Sequence, residues 1–391
     1  MALMSCKRTV LVALTDSHHE FYRGIVRYAN AHNWDLATDI IYTARIPHNW
    51  QGDGVISYCK YWSELANFLT QSPLPKVELT SMRSDLDLPR VDANNMEIGQ
   101  LAAEHLIARN FKNFAYLSFT NNMIGVERLA GFQDTLQQHG KTAIELSFTR
   151  KLAPSEQPVA YKPEDVHHQL LDSLKQLPRP VGIFCYNDCI AATLLEICQN
   201  AGWLVPEEVA IIGVDNHPII CENASVPLSS VINDLEGMAY AGAALLDRLI
   251  SGEKPPAEVL RIRPKGVVTR KSTDILAVHN TQVAKALQFI WDNYQRSNLS
   301  VNDIADAINL SRRSLERAFL EEMRHSIQKE ILRTRMEKVQ QLLLATNMTM
   351  VEIAECTGFT RPRHLFRVFR SLHNMSPREW REKHPKEARL S

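Results

Sequence analysis

The sequence lacks several features that would place the protein in a special class. No run of 18 apolar residues occurs among its 391 residues, so we expect no membrane-spanning helix. Glycine is scarce, with 15 residues, and the 18 prolines are not in excess, which excludes collagen-like and low-complexity chains. Neither sign of charge is in excess, because 44 Lys and Arg residues balance 44 Asp and Glu residues. A globular protein of about two to four domains remains.

Cysteine is scarce as well. The seven cysteines are odd in number and irregularly spaced, and they form no Cys-x-x-Cys pair or other metal-ligand spacing. This usage is typical of free thiols in a reducing compartment. The apolar run at 10–14 is too short for a signal peptide and ends before Asp16. We therefore expect a cytoplasmic protein that has no disulfide framework, no metal and no cofactor.

The sequence also lacks the common catalytic motifs. It has no Gly-x-Gly-x-x-Gly after a strand, no phosphate-binding P-loop, no His-Glu-x-x-His and no Gly-x-Ser-x-Gly. Asp16 and Asp215 are conceivable as a carboxylate pair, but no sequence feature sets the distance between them. The prediction is that the protein is not an enzyme.

Charge is divided unevenly along the chain. Residues 280–391 contain 19 Lys and Arg against 13 Asp and Glu, a net charge of +6. Residues 1–279 contain 25 against 31, a net charge of −6. A basic rear behind an acidic front indicates that only the rear meets a polyanion.

The front of the chain alternates short apolar segments with amphipathic helical segments. Continuous apolar strands between helices are typical of parallel sheets that are covered on both faces. The length predicts two α/β lobes in residues 1–275, a linker at 276–282 and a helical domain at 283–391. The predicted strands are 9–14, 53–58, 76–80, 114–119, 181–186 and 209–215, and the predicted helices are 21–32, 96–110, 127–140 and 189–202.

The rear of the chain contains an internal repeat. Residues 299–319 and 348–369 match at an offset of 49 to 50 positions, and residues 326–346 read as a helix that connects them. Each copy predicts a short helix, a tight turn and a second helix. This is helix-turn-helix geometry, in which the second helix enters the major groove of DNA.

The turns of the repeat have suitable residues. Asn309 and Gly358 stand where a left-handed conformation ends the first helix of each copy. Ser311 and Thr360 are predicted N-caps of the second helix.

The second helix of each copy presents charged side chains. A solvated basic face is the simpler interpretation of one such helix, but two copies with matching turns favour DNA binding. Arginine can bond guanine in a bidentate manner, and glutamate can accept from cytosine. The candidate DNA contacts are Arg312, Arg313, Glu316, Arg317, Arg361, Arg363, His364 and Arg367.

These motifs resemble a known family. Ile353-Ala354, Gly358-Phe359, the segment 366–369 and the closing segment 376–381 are similar to the DNA-binding domain of the AraC family over residues 281–386. Asn309 and Asn374 replace the family's usual glycines, and Arg324-His325-Ser326 replaces a Gly-x-Ser. The resemblance implies base contacts from Arg313, Glu316, Arg317, Arg363, His364 and Arg367.

The front domain has a resemblance of its own. The segments 91–117, 127–132, 186–216, 227–231 and 267–273 are similar to the effector domain of the LacI/GalR family. That resemblance implies the two-lobed fold of type I periplasmic binding proteins. In that family the DNA-binding helices come before this domain, whereas here they follow it. This order resembles regulators that respond to sugars and are usually activators.

Candidate ligand contacts follow from strand ends and from the resemblance. Ligands of open α/β sheets bind at the carboxyl ends of strands, where Asp16, Asn187, Asp188 and Asp215 are expected. The family's effector positions fall on Arg128, Asn187, Asp188 and Asp215. Aromatic faces for a sugar are available at Tyr186, Phe119 or Tyr58, and His18 is a further candidate. The alternatives are that Asp188 caps the next helix and that His18 is exposed to solvent.

The combined prediction is a DNA-binding transcriptional regulator, an activator, that is controlled by a small sugar. The resemblance favours a pentose, xylose above all. The expected partners are an operator in duplex DNA, the sugar, a second copy of the chain in a homodimer, and RNA polymerase, with no membrane. Two alternatives stay open: a constitutive DNA-binding protein whose front domain only dimerises, and a sensor of a metabolite other than a sugar. A solute-binding transport receptor would need a signal peptide and no helix-turn-helix repeat.

Overall fold

The computed structural model describes residues 7–15, 18–43, 45–47, 50–60, 62–120, 123–148, 163–275, 280–346, 348–373 and 375–383. Two compact units divide the chain. The first unit contains residues 1–108 and 112–275, and the second contains residues 276–391 together with 109–111.

Twelve strands lie in the described part of the first unit. They are β1 (Arg8–Leu14), β2 (Trp34–Ala37), β3 (Gly54–Tyr58), β4 (Lys76–Glu78), β5 (Val91–Ala93), β6 (Asn113–Phe119), β7 (Ala143–Phe148), β8 (Val181–Cys185), β9 (Val209–Val214), β10 (Ser229–Ile232), β11 (Leu260–Ile262) and β12 (Gly266–Val268).

Helices alternate with these strands and then form the second unit alone. Those of the first unit are α1 (His19–His32), α2 (Asp39–Thr43), α3 (Ser63–Gln71), α4 (Asn95–Ala108), α5 (Met123–Gln138), α6 (Pro163–Lys175), α7 (Asp188–Asn200), α8 (Pro218–Asn223), α9 (Leu235–Ile250) and the short 3-10 helix Lys271–Thr273. Those of the second unit are α10 (Thr281–Asn293), α11 (Val301–Ala307), α12 (Arg312–Met323), α13 (Ile327–Ala345), α14 (Met350–Cys356), α15 (Pro362–His373) and α16 (Pro377–Lys383).

The first lobe of the first unit is built on a parallel sheet of order β2-β1-β3-β4. Helices α1 and α9 pack together although about 200 residues separate them in the sequence. Gly24 of α1 makes this approach possible, because a Cβ atom there would lie 2.3 Å from the Glu236 carbonyl oxygen and 2.8 Å from the Ala239 Cβ. The first lobe therefore depends on a helix that comes late in the chain.

The second lobe is built on a sheet of order β12-β10-β9-β8-β6-β7. Its pairs are parallel except β10 with β12, which is antiparallel. Every residue of β8 and β9 is buried, as expected for strands that are covered on both faces. Strands β5 and β11 form a separate parallel pair. The chain runs from the first lobe to the second at β5, returns between β10 and α9, and crosses again between α9 and β12.

The second unit has two apolar cores. The first core contains buried residues from Val283 to Ile331, and the second contains buried residues from Met336 to Phe369. Helix α13 contributes to both cores. The predicted fold class, a two-lobed α/β domain followed by a helical domain with two helix-turn-helix units, is confirmed.

Candidate functional site

A cleft of about 380 Å³ lies between the two lobes of the first unit. The first lobe contributes Thr15, His18, Phe21, Tyr58, Lys60, Leu79, Thr80, Met82, Leu235 and Met238. The second lobe contributes Phe119, Ile124, Arg128, Phe148, Tyr186, Asn187, Ile190 and Asp215. Asp92, Ala93 and Asn233 line the cleft from the connections between the lobes.

Asp215 stands at the carboxyl end of β9 and reaches the cleft. Its φ angle is 98°, a conformation that residues other than glycine rarely adopt and that is typical of functional sites. Oδ1 of Asp215 accepts a hydrogen bond of 3.2 Å from Nδ2 of Asn233, which follows the neighbouring strand β10. Two adjacent strand ends thus combine to place a carboxylate and an amide side by side.

Arg128 lines the cleft from α5, but most of the side chain is buried. Nε donates to Oδ1 of Asn95 at 3.0 Å, and Nη1 donates to the backbone carbonyl of Tyr186. The guanidinium carbon also lies 4.8 Å from the centroid of the Tyr186 ring. Arg128 is therefore a part of the cleft wall that the protein holds in a fixed position.

A chain of polar contacts continues behind Arg128. Asn95 donates from Nδ2 to Glu127 at 3.1 Å, and Glu127 accepts two bonds from the guanidinium of Arg261 at 3.0 and 2.6 Å. Arg261 also lies 3.4 Å from the carboxylate of Asp92, which lines the cleft. Burial raises the pKa of Asp92. These contacts thus connect two residues that line the cleft, Arg128 and Asp92.

Aromatic rings supply much of the remaining lining. Phe21 and Tyr58 lie 4.8 Å apart between centroids in the first lobe, and Phe119 and Tyr186 lie 5.0 Å apart in the second. The three aromatic candidates from the sequence, Tyr186, Phe119 and Tyr58, thus all line the cleft. Such rings offer apolar faces to the C–H surface of a ligand.

His18 also lines the cleft, where the helix α1 begins. Its ring lies 5.8 Å from the ring of His217, which precedes α8 in the second lobe. The two histidines thus face each other from opposite lobes.

The neighbours Asn187 and Asp188 have different surroundings. Asn187 lines the cleft while its Oδ1 caps α7 by accepting from the Ile190 N–H at 3.0 Å. Asp188 is buried in the first turn of α7, where its carboxylate accepts from the His217 N–H at 2.8 Å and from Ser230 Oγ at 2.6 Å. The lining of the cleft does not include it. The carboxylate is directed into the lobe rather than into the cleft, so the ligand contact expected of Asp188 stays a prediction that this arrangement does not support.

The carboxyl group of Asp188 has an unusual pKa. Burial and the nearby charge of Asp215 raise the pKa of Asp188 to about 7. Glu78, in the first lobe, also has its pKa raised to about 7 by burial. Both carboxyl groups thus keep a proton to a higher pH in the folded protein than in an unfolded chain.

Sequence reasoning missed several cleft residues. Asn233 follows strand β10 and satisfies the strand-end rule that predicted Asp215, so the signal was present. Asp92 is the middle residue of the three-residue strand β5, which is too short to recognise from its pattern. Lys60 and Thr80 follow strands β3 and β4 in the same way. The predicted contact Asp16 lies outside the described residues.

The second unit contains the two predicted helix-turn-helix units. Helices α11 and α12 form the first, and α14 and α15 form the second. Asn309 and Gly358 have φ angles of 55° and 74°, which confirms the left-handed turns. Ser311 caps α12 by accepting from the Ser314 N–H at 3.2 Å. Helices α11 and α14 each begin with a capping box.

The start of α15 differs from the prediction. Helix α15 begins at Pro362, so its cap position is Arg361 and not Thr360. Proline suits the first position of a helix because its missing N–H would have no partner there. Arg324, in the loop that departs from the family pattern, ends α12 with a φ of 61°, and Ser326 caps α13. Asn374 lies outside the described residues.

The charged candidates lie on the outer face of each second helix, whereas Leu315 and Phe319 of α12 and Leu365 and Phe369 of α15 are buried. Within α12, Arg312 and Glu316 form an ion pair of 3.0 Å. The exposed candidates are Arg312, Arg313, Arg317, Arg361, Arg363, His364 and Arg367, and Glu316 is half-buried. Two similar surfaces, each with several arginines, are available to a polyanion.

No helix in the described ranges is long and apolar enough to cross a membrane. Among the same residues, no group of three or more His, Cys, Asp or Glu side chains is placed to hold a metal ion.

Known proteins are similar to each unit of the chain and to the chain as a whole. The model of a periplasmic binding protein-like domain matches residues 103–273, and a helix-turn-helix domain model matches residues 304–383. The xylose operon regulatory protein of Escherichia coli (strain K12) is 26% identical over 409 residues, covering 97% of this chain and 98% of that protein. The chain is a DNA-binding transcriptional regulator that combines a periplasmic binding protein-like domain with a helix-turn-helix domain.

Solved structures share the fold of the regulator. A xylose-binding transcription activator superimposes with a TM-score of 0.60 at 23% identity and covers 98% of the regulator and 100% of its own chain. A LacI-family regulatory protein from Chloroflexus aggregans matches with a TM-score of 0.51 at 21% identity, covering 68% of the regulator and 98% of its own chain. The relatives are regulators and not enzymes, in agreement with the prediction for this chain.

Proposed function

We propose that the protein is a cytoplasmic activator of transcription that binds a small sugar in the cleft of its first unit and a DNA operator through its second. The sugar is a pentose, with xylose as the first candidate. The observation that carries this proposal is the cleft, which combines aromatic rings with paired hydrogen-bonding groups in a chain that also has two helix-turn-helix units.

The cleft suits a sugar in size and chemistry. Its volume of about 380 Å³ falls in the range of small-molecule sites, about 300–1,000 Å³. Asp215 and Asn233 together offer acceptors and donors to vicinal hydroxyl groups, and Arg128 adds donors on a fixed guanidinium. Tyr58 and Tyr186 supply apolar faces from opposite lobes. We therefore assign ligand contacts to His18, Arg128, Tyr186, Asn187 and Asp215.

The choice of xylose rests on the relatives. The Escherichia coli relative is named a xylose operon regulatory protein, and the solved relative is described as a xylose-binding transcription activator. Both cover nearly the whole chain, so the same pairing of a sugar cleft with a DNA-binding unit is the simplest function for this protein.

DNA binding follows from the second unit. The exposed arginines of α12 and α15 would enter successive major grooves, which lie about 34 Å apart on one face of the duplex. A homodimer would then occupy two such sites and contact RNA polymerase. A sugar can change this binding only if it has unequal affinity for the open and closed arrangements of the two lobes.

Calorimetric titration of the full-length protein with xylose, arabinose, ribose and glucose tests the sugar. We expect saturable heat with a pentose and the highest affinity for xylose. No heat with any of the four sugars, together with unchanged DNA binding, would support the alternative of a constitutive regulator or a sensor of another metabolite. Salt-dependent binding to duplex DNA, measured by fluorescence anisotropy, tests the second unit.

A further inference from the structure

The second unit is held together at one position by an arginine that is not on a recognition helix. We call α10–α12 the first half and α14–α16 the second half. Their apolar cores are separate clusters, and α13 is the element that contributes to both. The distance between the recognition helices α12 and α15 therefore depends on what fixes one half against the other.

Arg335 of α13 binds the end of the first half. Its Nε donates to the carbonyl of Tyr294 at 2.9 Å, and its Nη2 donates to the carbonyl of Arg296 at 2.7 Å. Tyr294 is the C-cap of α10, where carbonyl groups lack partners within the helix and carry partial negative charge. A guanidinium suits this position because it is charged and presents donors in a planar fork.

The same guanidinium touches the turn of the second half. Its central carbon lies 6.0 Å from the centroid of the buried Phe359 ring. At the preceding residue, a Cβ atom on Gly358 would lie 2.4 Å from the Tyr294 carbonyl oxygen and 2.9 Å from Nε of Arg335. The turn of the second helix-turn-helix unit is thus in contact with both the arginine and the end of α10.

Burial lowers the pKa of Arg335, but an arginine stays charged at neutral pH. Its hydrogen bonds are made at the C-terminus of α10, in a partly buried place where a charged donor is stronger than in water. A lysine would keep the charge but could not present the same fork to two carbonyl groups.

We propose that Arg335 is a positioning residue that sets the distance between the two recognition helices and thereby the separation of half-sites that the protein accepts. A half-site is the group of base pairs that one recognition helix reads. The inference rests on the proposed function, because it requires both helices to engage the same duplex.

The test uses full-length protein and a duplex selected by the wild type from a randomised library. From this duplex, a series is made in which the separation of the half-sites is changed one base pair at a time, and a further duplex keeps only one half-site. For wild type we expect an optimum near one helical turn, about 10 base pairs. Arg335→Met should lose at least five-fold affinity at the optimum, show a flatter dependence on separation, and bind the single half-site within two-fold of wild type.

Two further variants make the result specific. Arg335→Lys should be intermediate between wild type and Arg335→Met, both in affinity at the optimum and in dependence on half-site separation. If thermal melting shows that Arg335→Met is unfolded, Arg335→Lys is the variant that tests the inference. Lys329→Met removes a charge from the exposed surface of the same helix and should shift affinity equally at all separations.

Three results would overturn the inference. The first is an unchanged dependence on separation in Arg335→Met. The second is an equal loss on the single half-site and on every paired duplex, since this would mean that Arg335 only supports folding. The third is wild-type protein that binds one half-site as tightly as two, which would reject the use of both helices and so the DNA-binding part of the proposed function as well.

Discussion

Arg128 and Tyr186 are joined in two ways: the guanidinium lies over the tyrosine ring, 4.8 Å from its centroid, and donates to the tyrosine's backbone carbonyl. The first residue belongs to α5 and the second follows β8. One side chain therefore connects the helix and the strand end that together form the second-lobe wall of the cleft.

This double role gives Arg128→Ala two expected effects. Sugar binding should weaken at least ten-fold, about 1.4 kcal/mol. The first unit should also lose stability, because the Asn95 amide oxygen and the Tyr186 carbonyl lose their donor, and an unsatisfied buried group costs about 1–3 kcal/mol. Calorimetric titration and thermal melting measure the two effects.

Asp215→Asn is the matched control for that experiment. An asparagine keeps the oxygen to which Asn233 donates, so melting should change little while sugar affinity falls. An Arg128→Ala protein that binds sugar as well as wild type would remove Arg128 from the site.

Asp188 should make the first unit less stable as the pH rises toward neutrality. Its pKa is about 4 in an unfolded chain and about 7 in the folded protein, where burial raises it. The folded state thus binds a proton between about pH 4 and 7 that the unfolded state releases. The stabilisation is complete below pH 4 and is lost as the pH passes through 7.

Thermal melting of wild type and Asp188→Asn from pH 5 to pH 8 checks this effect. The melting temperature of wild type should fall more steeply with pH than that of the variant. Part of the slope should remain in the variant because the pKa of Glu78 is raised in the same direction. Parallel slopes would show that Asp188 does not titrate in this range.

Arg317 and Arg367 should read base pairs. Alanine at either position should cost about 1–3 kcal/mol at the matching base pair, with little loss on a duplex changed at that pair. Fluorescence anisotropy with the selected duplex and with its single-base variants measures these losses. Lys285→Ala removes an exposed charge from α10 and should not change base preference. Equal losses on unrelated DNA would instead identify the two arginines as phosphate contacts.

The two turns of the repeat should differ in their tolerance of side chains. Asn309 and Gly358 both adopt left-handed conformations. Asn309 already carries a Cβ atom, whereas a Cβ atom on Gly358 would lie 2.4 Å from the Tyr294 carbonyl oxygen. Asn309→Gly should be nearly neutral, because glycine adopts this conformation readily. Gly358→Asn should destabilise the second unit, since asparagine tolerates the angle but its Cβ does not fit. Chemical denaturation compares the two, and equal stability losses would contradict the argument.

Local sequence patterns predicted the fold well because the conformation of a strand or a turn depends mainly on its own residues. The apolar run of β9 and the turn residue Asn309 each determine their own conformation. The strand-end rule also predicted Asp215 at the cleft, because parallel strands of a sheet have their carboxyl ends at the same edge.

The strand-end rule does not report the direction in which a side chain points. Asp188 follows the same edge as Asn187, but one step along the chain turns its carboxylate toward Ser230 inside the lobe. Asp92 lines the cleft from a strand of three residues, which is too short for its pattern to be recognised. Arg128 was predicted from family resemblance alone, and only the structure shows that Asn95 and the Tyr186 carbonyl hold it.

The packing of α9 on α1 has a consequence for biosynthesis. The sheet of the first lobe is made from residues 8–78, but the helix that packs beside α1 ends at Ile250. During translation, the N-terminal sheet must wait for the ribosome to release α9, while the second lobe's strands up to β10 have already emerged. Strands β6 to β10 of the second lobe can therefore pair before the first lobe is complete, although they come later in the sequence than β1 to β4. A nascent chain stopped before Leu235 leaves the apolar face of α1 uncovered, which makes it a substrate for chaperones.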